Sequence, residues 1–246
     1  MVLLYESRDQ RAHYRVTRAG RSVRLYKNGI FHTQYNPHNV FTGSVWDLLS
    51  IPVLFATSLP QSVLMLGVGG GGAIHQLHAL AQPDRITGIE IDPVHIRIAK
   101  RFFDLDDSKI QFIQADAINW VRVNHRRRFD LVVDDIFIES ENPVRPMEID
   151  RVWLERVTRL VSASGMLIQN HASMKGVTEV LRDHRDFLKH AYSNVLVFQT
   201  ESCANAVLVA YRGCAHARAR QRVDVWLRER FGADSRRIRY NVRQLV

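Results

Sequence analysis

From Ser62 onward, apolar runs of strand length alternate with helix-length stretches, and this order restricts the possible folds more than any single motif does. Strands are expected at 62–66, 85–89, 110–113, 130–133, 165–169, 194–198 and 206–210, with helices at 72–81, 93–103, 117–123, 149–161 and 176–189. Strand, helix, strand closes as a right-handed parallel crossover, so the pattern predicts an α/β fold with helices on both faces of one doubly wound sheet. The last two strands leave no room for a helix between them. They are expected to form an antiparallel hairpin at the sheet edge, the last two of seven strands.

Ahead of this pattern, His13 to Arg18 and Ser22 to Tyr26 alternate, with Ala19-Gly20 and Asn28-Gly29 as turn dipeptides. Asn-Gly readily takes the positive φ that tight hairpins need, so a small β-element should precede the main sheet. Ser44-Val-Trp-Asp47 reads as a capping box opening a helix that Pro52 ends or kinks. A last helix over 217–231 leads into an Arg-rich end. The expected division is 1–57 for the β-element and connecting helix, 58–215 for the main unit, and 216–246 for a basic helix and tail.

Lys and Arg number 34 against 25 Asp and Glu, a formal charge of +9. The excess sits at the ends: residues 1–27 carry +5, residues 212–246 carry +7, and the middle carries −3. Clustered arginine attracts phosphate. No RNP-like strand, zinc-finger spacing or helix-turn-helix pattern accompanies it, so a solvated surface or a contact between subunits is the expected reading, and nucleic acid is not favoured. No run of about 18 apolar residues is present, and Met1-Val-Leu-Leu-Tyr-Glu6 turns polar too soon for a signal peptide. Cys203 and Cys214 lack metal-ligand spacing. A cytoplasmic protein with ordinary thiols, no metal and no membrane partner is expected.

The first strand of the main unit runs into Gly67-Val-Gly-Gly-Gly-Gly72. Glycines at such a corner let the backbone approach a ligand and expose amides at a helix start; Gly67, Gly69, Gly70 and Gly71 are the candidates. The second strand ends at Glu90, where a carboxylate can accept from ribose hydroxyls. Asp92 is placed to cap the next helix, with Pro93 at its first position. The third strand ends in Asp116-Ala117, suited to an adenine amine, and the fourth in Asp134-Asp135. Four strands in succession end in residue types that an adenosine nucleoside needs.

At these residues the chain resembles the spermidine synthase family, a branch of the S-adenosylmethionine (AdoMet)-dependent methyltransferase fold. The resemblance covers roughly residues 20–210: Leu25-Tyr-Lys-Asn-Gly29, the helix around Trp46 to Pro52, the glycine loop, Ile89-Glu-Ile-Asp-Pro93, Asp116-Ala117, Val133-Asp134 and Gly165 to Gln169. It implies a Rossmann-like, seven-stranded methyltransferase-type sheet and transfer of an aminopropyl group from decarboxylated AdoMet to a diamine such as putrescine.

Three departures qualify that implication. The family's glycine loop includes an aspartate where Gly70 stands, and the second aspartate of its fourth-strand motif becomes Phe137. The family's Gln and Tyr-His-Glu segment align with His32 and Phe41-Thr-Gly43. A dication needs carboxylates to replace lost solvation, so putrescine-dependent synthesis is doubtful, and the acceptor is an unidentified one of amine type. Glycine in place of aspartate favours intact AdoMet as donor. Asp134 then becomes the expected assisting group and partner of the donor's amino group, whereas Asp135, one residue on, should face the other way.

The alternatives are an AdoMet-dependent methyltransferase and, from another class, a non-catalytic nucleoside- or nucleic-acid-binding protein. Oligomeric state is left open. The segment 137–146, with Glu139, Glu141, Pro143 and Pro146, falls where the family has a loop closing over the acceptor. His75 and His78 read as packing residues, His171 as a side candidate, and Arg126-Arg-Arg128 as a solvated turn.

Overall fold

The computed structural model describes residues 1–8, 12–106, 108–138 and 144–246. The chain opens with an antiparallel sheet of β1 (Val2–Arg8), β2 (His13–Ala19), β3 (Ser22–Lys27) and β4 (Ile30–Tyr35), in that spatial order. Positive φ at Gly20, Asn28 and Gly29 makes its tight turns. Next comes α1 (Val45–Ser50), which tightens into a 3-10 turn over Ile51–Phe55 with Pro52 near its start, as proline dictates. The expected capping box is absent: the Ser44 side chain makes no cap hydrogen bond. Instead the Asp47 carboxylate accepts from the Thr42 and Gly43 amides and the Thr42 hydroxyl, tying the incoming loop to the helix.

The main unit alternates β5 (Ser62–Leu66), α2 (Gly72–Ala81), β6 (Arg85–Glu90), α3 (Pro93–Phe102), β7 (Ile110–Gln114), α4 (Ala117–Val123), β8 (Phe129–Asp134), α5 (Arg151–Leu160), β9 (Val161–His171) and α6 (Met174–Ala191). The edge hairpin β10 (Asn194–Gln199) and β11 (Ala206–Tyr211) follows, then α7 (Arg220–Phe231) and β12 (Asn241–Gln244). The sheet order is β12-β10-β11-β9-β8-β5-β6-β7. Five strands are parallel, and β11, β10 and β12 add antiparallel neighbours. The sheet therefore has eight strands rather than seven, because the tail after α7 returns to pair with β10.

Two apolar clusters cover the sheet's faces. One contains Trp153, Leu154 and Val157 of α5 with Val177 of α6; the other contains Ile74 and Leu77 of α2 together with Val16 and Leu25 of the small sheet. The small sheet thus packs into the same core that seats the helix after the glycine loop. Among the described residues, no helix is long and apolar enough to cross a membrane.

Asp92 fastens the two sheets together. Its Oδ2 accepts from the Tyr14 hydroxyl at 2.7 Å and Lys27 Nζ at 2.9 Å, and its Oδ1 caps α3 through the Val94 amide at 2.8 Å. Burial opposes ionisation of Asp92, but the Tyr14 hydroxyl, nearby His95, Lys27 and the Val94 amide outweigh it and hold the pKa at about 2. A depressed carboxyl pKa stabilises the fold above the unfolded-state value, and that contribution fades as pH falls through the folded value. Wild type should therefore melt above Asp92→Asn at pH 7, with the gap closing between about pH 4, the unfolded carboxyl value, and about pH 2. Parallel melting curves across that range would show that Asp92 does not join the sheets.

Candidate functional site

The carboxyl ends of β5, β6, β7 and β8 lie side by side, because the register pairs Leu66 with Ile89 and with Asp134, and Glu90 with Gln114. The glycine corner crosses this edge with positive φ at Gly67, Gly69 and Gly71. Gly67 is obligatory for a second reason: a Cβ there would lie 2.3 Å from the Asp135 carbonyl oxygen. Close approach between the corner and the end of β8 therefore depends on a missing side chain.

Glu90 is brought onto this corner. Its Oε2 accepts from the amides of Val68 at 3.0 Å and Gly69 at 2.8 Å, and its Oε1 from the Asp92 amide at 2.9 Å. Burial opposes the charge, but His95 and these amides outweigh it, so the carboxyl pKa is lowered. Next to it, Asp116 caps α4 through the Asn119 amide and is half-buried, while Ala117 begins the helix. Between these acids in sequence stands Ile91, 64% exposed at the same edge. An apolar side chain bared beside two carboxylates suits a flat heteroaromatic ring, and the alternating strand pattern gave no reason to single it out.

Asp134 is placed differently from expectation. It is wholly buried, and its oxygens accept from Arg145 Nη2 at 2.8 and 3.0 Å, Trp153 Nε1 at 2.8 Å and Gln169 Nε2 at 2.8 Å. Those donors tie α5, β9 and the chain around Arg145 to one carboxylate. The half-buried Asp135 accepts from the Asn170 amide at 2.7 Å and feels the charges of both Glu90 and Arg145. Desolvation, the neighbouring Asp134 and Glu90 push its pKa up to about 7 against the opposing Asn170 bond and Arg145. The carboxylate coupled to the Glu90 corner is therefore Asp135.

Gly70 also has a physical explanation. Thr33 of β4 lays its methyl where a Cβ at Gly70 would stand, 2.0 Å away, and its hydroxyl accepts from the Gly72 amide at 3.1 Å. A side chain at that position requires Thr33 to give way, so packing favours glycine there independently of any charge effect on the donor. Neither β4 nor Thr33 was expected, although a hairpin turn at Asn28-Gly29 requires a strand after it. His32 of the same strand lies against His95 with the rings tilted and their centroids 5.1 Å apart, and His95 in turn lies 3.8 Å from Glu90.

Beyond β8 a cleft of about 500 Å³ is lined by Phe137, Arg145, Glu148, His171 and Lys175 among others. The Arg145 guanidinium lies 5.8 Å from the Phe137 ring centroid. His171 is buried, its Nε2 has no hydrogen-bond partner among the described residues, and burial with the nearby Arg145 lowers its pKa to about 4. Of the acceptor-loop candidates, Glu139, Glu141 and Pro143 lie outside the described residues. His75 stacks on Tyr35 and hydrogen-bonds the Phe103 carbonyl, in keeping with packing. Among the described residues no cluster of His, Cys, Asp and Glu could hold a metal ion.

A family model described as Spermine/spermidine synthase domain matches residues 46–207. The polyamine aminopropyltransferase of Thermoplasma volcanium is 32% identical over 130 residues, 50% of this chain and 45% of that protein. That of Clostridioides difficile is 27% identical over 129 residues, 49% of this chain and 44% of that protein. The matched region thus spans less than half the length of these relatives. Among solved structures, a probable spermidine synthase from Corynebacterium glutamicum superposes with a TM-score of 0.74 at 13% identity, covering 98% of this chain and 90% of that one. A spermidine synthase in complex with the transition-state analogue AdoDATO gives 0.66 at 13% identity, covering 94% and 88%. Human methyltransferase-like protein 13 in complex with SAH gives 0.56 at 20% identity, covering 79% and 91%. At such identities the likeness to these structures is one of fold.

The packing account of Gly70 is testable by thermal unfolding. Gly70→Ala should cost about 1–3 kcal/mol through overpacking. Adding Thr33→Ser, which removes the methyl but keeps the hydroxyl, should restore most of that loss. A double variant no more stable than Gly70→Ala would refute the clash.

Proposed function

Because the chain belongs to the spermine/spermidine synthase domain family, we propose that it is a transferase that takes an AdoMet-type donor at the Gly67 corner and passes an alkyl group to an amine-type acceptor. The observation that carries this reading is the convergence of Gly67, Gly69, Glu90, Asp116 and Asp135 along one sheet edge. The AdoDATO and SAH complexes of the two structural neighbours support a donor of this class.

In this reading Glu90 accepts from the ribose hydroxyls, Asp116 from the adenine amine, and Ile91 covers the ring. The bound donor supplies an electrophilic carbon beside a sulfonium. The acceptor's nitrogen lone pair forms a bond to that carbon as the carbon–sulfur bond breaks, and the sulfur leaves as a neutral thioether. Asp135 takes the proton that the alkylated nitrogen sheds. A base works best with a pKa near the operating pH, and Asp135, raised to about 7, is substantially ionised in neutral solution. Asp134 acts through Arg145, Trp153 and Gln169 as a brace. Aligning nitrogen, carbon and sulfur is the main catalytic contribution.

The acceptor side argues against a simple diamine. Phe137 stands where a carboxylate would be needed, while the cleft beside it is lined by Arg145, Lys175 and Arg182 against Glu148, Glu179 and Asp183. Losing the carboxylate at Phe137 raises the cost of desolvating a dication. Methyl transfer on the same scaffold is the second reading, favoured by Phe137 in place of that carboxylate.

Calorimetric titration with AdoMet, decarboxylated AdoMet and methylthioadenosine, followed by product analysis, tests both parts. At least one nucleoside should bind, and Glu90→Ala should lose about 1–3 kcal/mol of that affinity. Wild type given putrescine and decarboxylated AdoMet should form little spermidine. Unchanged affinity in Glu90→Ala would remove Glu90 from the site; rapid spermidine formation would overturn the reading of Phe137. Methylthioadenosine as product would mark aminopropyl transfer, S-adenosylhomocysteine methyl transfer.

A further inference from the structure

The Arg-rich end folds into a surface that the transfer reaction leaves unused. α7, the 3-10 turn over Gly232–Arg237 and the start of β12 enclose a cleft of about 340 Å³, lined by Arg220, Arg228, Arg236 and Arg239. Nine of the ten arginines in 212–246 are exposed; Arg212 is half-buried and donates to the carbonyls of Thr158, Val161 and Ser162. Arg220 pairs with Asp224 at 3.6 Å and Arg237 with Asp234 at 3.3 Å. Arg228, Arg236 and Arg239 have no ion pair among the described residues.

Two acids share the lining. Asp224 is held by Arg220 and the Tyr240 hydroxyl, which leaves Glu201 as the acid facing the three uncommitted guanidinium groups. Arg218, in the 3-10 turn just before α7, is also exposed and without an ion pair among the described residues, whereas the exposed Arg222 and Arg230 lie on other faces of α7. Like charges crowded on one surface repel, and a bound polyanion relieves that repulsion while accepting the bidentate bonds that guanidinium offers. Three uncommitted guanidinium groups around one open cleft match successive phosphates of a repeating backbone.

The cleft also lies on the functional edge of the sheet. Thr200 and Glu201 follow the end of β10, Asn241 begins β12, and the register runs from Gln199 to Ala206 to His171 at the end of β9. We propose that this surface binds the phosphate backbone of a nucleic-acid strand, which then runs along the same edge that carries Asp135.

Fluorescence anisotropy with a labelled single-stranded RNA and a labelled DNA duplex, each over a salt series, tests this on the full chain. Wild type should bind at least one probe, with affinity falling steeply as salt rises. Arg228→Ala/Arg236→Ala/Arg239→Ala should bind at least tenfold more weakly with a shallower salt slope, each lost phosphate contact removing about 0.7–0.9 from it. Arg21→Ala/Arg122→Ala/Arg126→Ala removes the same charge from exposed positions elsewhere and should stay within twofold of wild type. Thermal melts should match among the three proteins, because the substituted arginine side chains make no hydrogen bond or ion pair among the described residues. No binding of either probe at low salt would overturn the proposal, as would equal losses in both triple variants. Displacement of a bound probe by inorganic pyrophosphate at micromolar concentration would assign the cleft to a small phosphorylated ligand and overturn it as well.

Discussion

The reading of the functional edge depends on one carboxylate placed where two strand ends and a glycine corner meet. Glu90 gathers the amides of Val68, Gly69 and Asp92, so it fixes the corner's shape at the edge proposed to hold the nucleoside. The Val68 and Gly69 amides, in the loop before α2, would otherwise lack this acceptor. A nucleoside that engages Glu90 therefore meets a carboxylate already oriented by three donors, which lowers the ordering cost of binding.

Around that carboxylate the chain divides labour between acids that hold and acids that remain chemically available. Asp92 locks the small sheet to α3, Asp47 locks the loop before α1, and Asp134 locks α5 to the end of β9. Asp135 accepts one side-chain hydrogen bond among the described residues, from Asn170, and desolvation with the charges of Asp134 and Glu90 raises its pKa against Arg145. Adjacent residues at the end of one strand thus take opposite roles, because alternation sends them to opposite faces of the sheet.

The parallel core was legible because most of its strands are short apolar runs with glycine or an acid near their carboxyl ends; β5, α2 and α4 begin and end where the sequence pattern puts them, whereas β9 starts at Val161, ahead of the expected 165, and runs to His171. β4 and β12 were missed for different reasons. β4 carries His32, Thr33 and Gln34 among its apolar residues, which blurs the alternation, yet the turn before it implied a partner. β12 has four residues and is held by pairing with β10 over a separation that no local pattern encodes. Glu90, Asp116 and the glycines were legible as strand-end residues. The choice between Asp134 and Asp135 was not, because it depends on Arg145, Trp153 and Gln169, which lie 11 to 35 residues further along the chain. The packing of Gly70 against the methyl of Thr33 was not legible either, because Thr33 lies on the other sheet.

Amide hydrogen exchange with and without methylthioadenosine and AdoMet tests the central claim most directly. Added nucleoside should slow exchange at 67–72, 90–92 and 115–117 together, since these segments form one rim. Protection confined to the Arg-rich end, or protection of one of these segments without the others, would contradict a shared nucleoside site.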